Sequence, residues 1–207
     1  MGSGRILAGL VALALTASCA GTGANVAGIG GYRLVPPRAD SVADGAMTVT
    51  PTVAWNRIPR RQYDIGREEN WTLNGPLLDG ITFIGGLGHD ERIVRQRRKA
   101  DRLVPNFRAD MAPPEIASMI ESFYRIRAGS TEFAMTGLQP RTFMGRPGFQ
   151  FDYEHLGGDE VWRRGRAVGA IVNGRFYLAL FDAARMHYFG AGLPEFERIV
   201  ESARLGG

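Results

Sequence analysis

The residues able to carry chemistry are few. Three histidines, His89, His155 and His187, are the only imidazoles, and Cys19 is the only thiol. His89-Asp90-Glu91 and Asp152-x-Glu154-His155 set carboxylates beside imidazoles, the pairing that acid–base work or metal ligation needs. Neither has the spacing of an HExxH helix, so the expectation is surface histidines on loops and strand ends, with no metal site and no cofactor. Gly129-Ser130 lacks the GxSxG elbow of a serine hydrolase. These residue types point away from an enzyme, and an enzyme using the histidine–carboxylate groups is the alternative.

Charge gives a stronger signal. Between Asp90 and Arg108 stand Arg92, Arg95, Arg97, Arg98, Lys99, Arg102 and Arg108, against Asp90, Glu91 and Asp101. The excess equals the +4 of the whole chain, whose 25 cations include a single lysine. Guanidinium groups bind phosphate and carboxylate in bidentate fashion, so Arg92, Arg95, Arg97, Arg98, Lys99 and Arg102 form a candidate anion-binding set. Anionic lipid or lipopolysaccharide phosphate is the partner considered; nucleic acid is not, because aromatic stacking partners are sparse. A solvated arginine-rich loop is the plain reading. The aromatic residues Trp55, Trp71, Trp162, Phe176, Tyr177 and Phe181 are expected in the core. Tyr188-Phe189-Gly190 is expected to be partly exposed.

The N-terminus carries an address. Arg5 is the only charge before an apolar run from Ile6 to Ser18. As a helix that run spans about 20 Å, short of a hydrocarbon core of about 30 Å, and so fits a secretory leader over residues 1–18. Leu15-Thr16-Ala17-Ser18-Cys19 resembles the lipobox of bacterial lipoproteins, with Thr16 where a branched apolar residue is usual. The resemblance implies cleavage between Ser18 and Cys19, diacylglycerol on the Cys19 sulfur and a further acyl chain such as palmitate on its amine. Two or three chains anchor stably where one does not. Ala20, rather than Asp, implies sorting to the outer membrane, facing the periplasm. A plain signal peptide with an incidental cysteine is the alternative. Loss of residues 1–18 removes only Arg5 and leaves one positive charge fewer.

The elements that must position these residues follow. Residues 19–46, with six glycines and Pro36-Pro37, read as the lipidated cysteine and a flexible tether reaching about 25–30 Å; the alternative is that the apolar Tyr32, Leu34 and Val35 pack on the domain and shorten it. Gly28-Ile29-Gly30-Gly31 lacks the context of a phosphate loop. Residues 47–207 read as one domain. Met47–Thr50 and Val53–Trp55 favour strands, and Trp71–Leu73 and Pro76–Ile84 flank an Asn74-Gly75 turn. Pro113-Pro114-Glu115 opens a helix with a stripe of Ile116, Met119, Ile120, Phe123 and Ile126, closed by Gly129. Phe149, Phe151 and Tyr153 alternate with polar residues; Asn173-Gly174 marks a hairpin between Val161–Val172 and Arg175–Phe181. A last helix is expected from Pro194-Glu195, with Phe196, Ile199, Val200 and Ala203 inward. Hairpin-linked strands cannot be parallel neighbours, so the fold class is α+β, an antiparallel sheet flanked by helices.

This order resembles the PsbP-like α/β/α sandwich, on Trp71-Thr72-Leu73-Asn74-Gly75, the Pro-started helix, the strand near Gly145–Tyr153, Phe176-Tyr177-Leu178 and the Pro194-x-Phe196-x-x-Ile199-Val200 helix. Many bacterial lipoproteins carry that domain. The combined expectation is a lipid-anchored, periplasmic binding or accessory protein of the cell envelope, non-catalytic, held to the membrane through Cys19 and working with an envelope protein partner.

Overall fold

The computed structural model describes residues 31–61 and 64–207. Ser18, Cys19 and the leader lie outside them.

The chain forms eleven strands and two long helices among these residues. They are β1 (Arg33–Val35), β2 (Asp40–Val42), β3 (Met47–Val49), β4 (Trp55–Arg57), β5 (Glu68–Thr72), β6 (Asp79–Leu87), α1 (Pro113–Arg127), β7 (Glu132–Phe143), β8 (Arg146–Leu156), β9 (Trp162–Val172), β10 (Arg175–Ala184), α2 (Tyr188–Ser202) and β11 (Arg204–Leu205). Eight strands make one antiparallel sheet in the order β1-β4-β5-β6-β10-β9-β8-β7, and β11-β3-β2 make a small second sheet. The α+β expectation therefore holds.

Alternation along the strands divides the core between the two faces of the large sheet. On one face Phe83, Phe181 and Val168 meet α2 and the small sheet through Phe196, Ile199, Met47 and Val49. On the other, Phe149, Phe151, Tyr153, Ile84 and Leu178 meet α1 and the 88–111 segment through Ile116, Met119, Ile120, Val104 and Phe107. Fully burying such a side chain contributes about 1.5–3 kcal/mol, so both coverings are needed to hold the sheet.

Local chemistry sets the boundaries. Pro113 opens α1 where an amide would be unpaired, and the Ala112 amide donates to Glu115 Oε2 at 2.8 Å. Gly129 ends it with φ +64°. The Asn173-Gly174 pair has φ +51° and +72°, the two positive values of a type I′ hairpin turn. The β5–β6 connection is longer than an Asn-Gly hairpin. The buried Asp79 carboxylate gathers it, accepting from Thr72 Oγ1, the Leu73 amide and the Asn74 side chain at 2.8, 2.8 and 2.5 Å.

Three expectations need correction. The domain starts near Arg33 rather than Met47: β1 and β2 fold in, with Val35 and Val42 buried, because the apolar residues among the glycines find a sheet to cover. Helix α2 starts at Tyr188 and carries Pro194 inside it. Consequently Phe189, expected outside, is buried and stacks on Phe181 at 5.6 Å, while Tyr188 is half-buried. The twelve-residue edge strand β7 has no signature in the sequence, because most of it is exposed and shows no alternation.

A glycine in β9 is required by a close approach. A Cβ on Gly165 would lie 2.0 Å from the Tyr153 ring and 2.2 Å from its hydroxyl. Gly165→Ala is therefore expected to cost about 1–3 kcal/mol in urea unfolding. Gly190, in α2 with nothing within 4 Å of its Cβ direction, should gain up to about 1 kcal/mol as alanine.

Candidate functional site

On the α1 face the covering is incomplete. Helix α1 lies over the β7–β8 side, and the small residues Asn70, Gly80 and Thr82 of β5 and β6 leave an open cavity of about 800 Å³. Its floor is sheet: Glu68 and Asn70 from β5, Gly80 and Thr82 from β6, Asp182 from β10 and His155 from β8. Its walls are Phe123, Tyr124 and Arg127 of α1, Arg97 and Arg98, and the turns around Leu77 and Asp159.

The floor is polar and ordered. Thr82 Oγ1 donates to Asn70 Oδ1 at 2.6 Å, and Asn70 Nδ2 donates to Glu68 Oε1 at 2.9 Å. Glu68 is 9 % exposed. Burial, reinforced by the neighbouring Asp64 charge against the Asn70 bond, raises its pKa to about 7.

Beside it a second network joins the helix to the sheet. The Tyr124 hydroxyl lies 2.7 Å from that of Tyr153, which donates to Asp182 Oδ2 at 3.3 Å. His155 Nε2 meets the same oxygen at 2.8 Å, and Ser130 Oγ lies 2.9 Å from His155 Nδ1. A carboxylate only accepts, so Nε2 carries a hydrogen, and in the neutral ring Nδ1 accepts from Ser130. Burial first pushes both Tyr124 and Tyr153 well above the usual phenol range; the Asp182 charge comes next at Tyr124, and the Tyr124 neighbour followed by the Asp182 charge at Tyr153.

His155 is thus 1 % exposed and fully engaged, which corrects the surface assignment. His89 and His187 do lie at the surface. Ser130, His155 and Asp182 have the composition of a hydrolase triad but not its arrangement. In a triad the serine bonds Nε2 and the aspartate Nδ1; here the nitrogens are exchanged. Asp182 and His155 border the cavity, whereas Ser130 does not line it and is 6 % exposed. A ligand in the cavity meets the carboxylate, not the hydroxyl.

The arginine-rich segment is built rather than loose. Lys99–Leu103 is a short 3-10 helix, and Asp101 within it is fully buried. Asp101 Oδ2 accepts the amides of Arg98 at 2.8 Å and Arg97 at 2.9 Å, while Oδ1 faces Arg127 and Arg98 at 3.6 and 3.7 Å. Those two amides, opposed by burial and helped by the two guanidiniums, hold its carboxyl below the usual range. Of the six proposed anion ligands, Arg97, Arg98, Lys99 and Arg102 share a shallow hollow with Gln96. Arg95 is exposed apart from it, and Arg92 is half-buried, its Nε donating to the Val104 carbonyl. Trp55, Trp71, Phe176 and Phe181 are buried as expected, and Trp162 and Tyr177 half-buried.

Glu68, Asn70 and Asp182 were absent from the sequence-derived set. Alternation in Glu68-Glu69-Asn70-Trp71 does place Glu68 and Asn70 opposite a core tryptophan, the one local hint of a polar patch on a covered face. Among the described residues no group of three His, Cys, Asp or Glu is placed to hold a metal, and no helix is long and apolar enough to cross a membrane.

With this geometry in view, the architecture is that of the PsbP-like fold. The solution structure of cyanobacterial PsbP (CyanoP) from Synechocystis sp. PCC 6803 is similar with TM-score 0.53 and 14% identity, over 90% of this chain and 98% of that one. LpqN, involved in cell envelope biogenesis of Mycobacterium tuberculosis, aligns over 86% of each chain at 10% identity with TM-score 0.34, too low to carry an argument. No family model matches the chain, and no curated protein matches it.

The raised Glu68 pKa has a sign that can be tested. The folded protein binds the proton more tightly than the unfolded chain, so this stabilisation is complete below about pH 4.5 and lost as pH rises through about 7. Glu68→Gln should flatten the stability profile across that window in urea titrations, because the charge that burial penalises is no longer formed.

Proposed function

We propose that the protein is a non-catalytic ligand-binding module of the bacterial cell envelope, anchored through lipid on Cys19, with the α1-face cavity as its binding site. The observation that carries the binding reading is the exchanged relay. The only serine–histidine–aspartate set among the described residues turns its carboxylate to the cavity and its hydroxyl away from it. Such a network fixes a floor; it does not deliver a nucleophile. The location rests on the leader and lipobox residues 1–19 and on Ala20, which favours the outer membrane. The ligand it holds would then be passed to, or sensed by, an envelope protein partner.

Mass spectrometry of the full chain, produced with its leader and extracted from membranes, is expected to find Cys19 at the N-terminus bearing diacylglycerol. An Ala20 or intact Met1 terminus would overturn the anchor. The same protein should turn over no ester, amide or glycoside; turnover lost on Ser130→Ala or His155→Ala would overturn the non-catalytic reading.

One observation favours an additional contact with anionic lipid. Arg95, Lys99 and Arg102 have no counter-charge among the described residues, and Leu103 beside them is 69 % exposed. Near an anionic surface each cation contributes about 1 kcal/mol. The mature chain with Cys19→Ala should therefore sediment with phosphatidylglycerol vesicles and be released by salt. The triple variant R95A/K99A/R102A should bind on the order of a hundredfold more weakly. Salt-insensitive binding, or none, rejects this contact.

A further inference from the structure

We propose that the cavity takes a saccharide bearing a carboxylate or phosphate, with its hydroxyls on the β5–β6–β10 floor and its anionic group at the Arg97–Arg98 edge. The inference rests on the cavity being a binding site and names the class of ligand.

Size comes first. A volume of about 800 Å³ is within the range of sites that enclose small ligands. A saccharide of one to three rings is of that order.

The floor then selects chemistry. Asn70 spends one amide hydrogen on Glu68 and its oxygen on Thr82, leaving its second hydrogen for a ligand. Asp182 commits Oδ2 to His155 and Tyr153, and its Oδ1 has no donor among the described residues. A spare donor and a spare acceptor on one sheet face suit hydroxyl groups, each of which donates and accepts. A hydrocarbon chain laid on this floor would cut these groups off from water and return no hydrogen bond. The carbon-bound faces of a sugar ring have apolar surface to meet instead, at Phe123 and Tyr124 on the α1 wall.

The edge supplies the charge. Arg97 and Arg98 border both the cavity and the basic hollow that continues to Lys99 and Arg102. Asp101 holds their backbone in place, so the edge exists before any ligand arrives. Of the cavity's acids, Asp79 is consumed by its turn and Asp159 by Arg163, which holds it at 2.7 and 2.8 Å. Glu68 and Asp182 stand on the floor and Asp64 is on the lining, while Arg97 and Arg98 form the rim that runs on into the basic hollow, with Arg61, Arg127 and Arg163 elsewhere on the lining. That rim orients an acidic sugar and gives a neutral one less hold.

The test is calorimetry on the mature protein with defined probes: a glucuronate-containing disaccharide, glucose 1-phosphate, a neutral disaccharide, inorganic phosphate, lauric acid and an acidic tripeptide. An acidic sugar should bind at least about tenfold more tightly than the neutral disaccharide or inorganic phosphate. The first two probes decide between carboxylate and phosphate. Arg98→Ala, at an exposed side chain, should bring the acidic sugar down to the neutral level, whereas Asn70→Ala and the near-isosteric Thr82→Val should weaken both kinds of sugar. Inorganic phosphate binding as well as the sugar phosphate would reduce the site to a plain anion site. Preference for lauric acid or for the peptide would overturn the saccharide while leaving a binding site. Silence from every probe would overturn both readings.

Discussion

Asp182 joins the packing of the domain to its polarity. Its Oδ2 accepts from His155 on β8 and from Tyr153, and through Tyr153 it reaches Tyr124 on α1. A helix laid on a sheet by apolar contacts alone could slide. A carboxylate with two directed donors and a phenol pair fixes where α1 stops. Beyond that stop, the part of β5 and β6 around Asn70, Gly80 and Thr82 is left open and becomes the cavity. The same bonds orient the floor, because the carboxylate that locks the helix also turns its other oxygen outward. Removing the acceptor would leave the buried His155 N–H without a partner and strip the Tyr153 hydroxyl of its carboxylate, so the network is costly to break in part.

The arginine-rich segment follows the same logic with the charges reversed. Six cations in eleven residues would repel one another in an extended loop. One buried carboxylate, Asp101, turns that repulsion into a folded edge by accepting two backbone amides and facing two guanidiniums. Val104 and Phe107 then fasten the segment onto the α1 face of the sheet. The cations remain at the surface, and the backbone beneath them is fixed.

Much of this fold was legible in the sequence. The stripe of α1, the alternation of Phe149, Phe151 and Tyr153, and the Asn173-Gly174 turn each state their structure locally, through period or through a positive φ. What escaped were features settled by distant partners. The apolar Tyr32, Leu34 and Val35 hint at packing, but no local period in residues 20–46 shows that Val35 and Val42 have a sheet face to cover. Helix α2 runs through Pro194 because Phe189 gains a stacked partner in Phe181, a contact no local pattern records. The site was hidden for the same reason. Ser130, His155 and Asp182 lie far apart in sequence, and Glu68 acquires its altered acidity only when the folded chain buries it beside β6 with Asp64 as a neighbour. The basic run was visible as composition, but its order depends on a single acid that composition counts as opposing charge.

Strand β7 closes the sheet on one side with a long, largely uncovered border. Such a border is an invitation to a second chain, since its outward amides and carbonyls want partners. Two devices withdraw the invitation: the ladder slips between Thr136 and Gln139 around Gly137, and Pro140 offers no amide. Wherever many copies of the chain are crowded together, this interrupted border keeps sheets from adding to sheets.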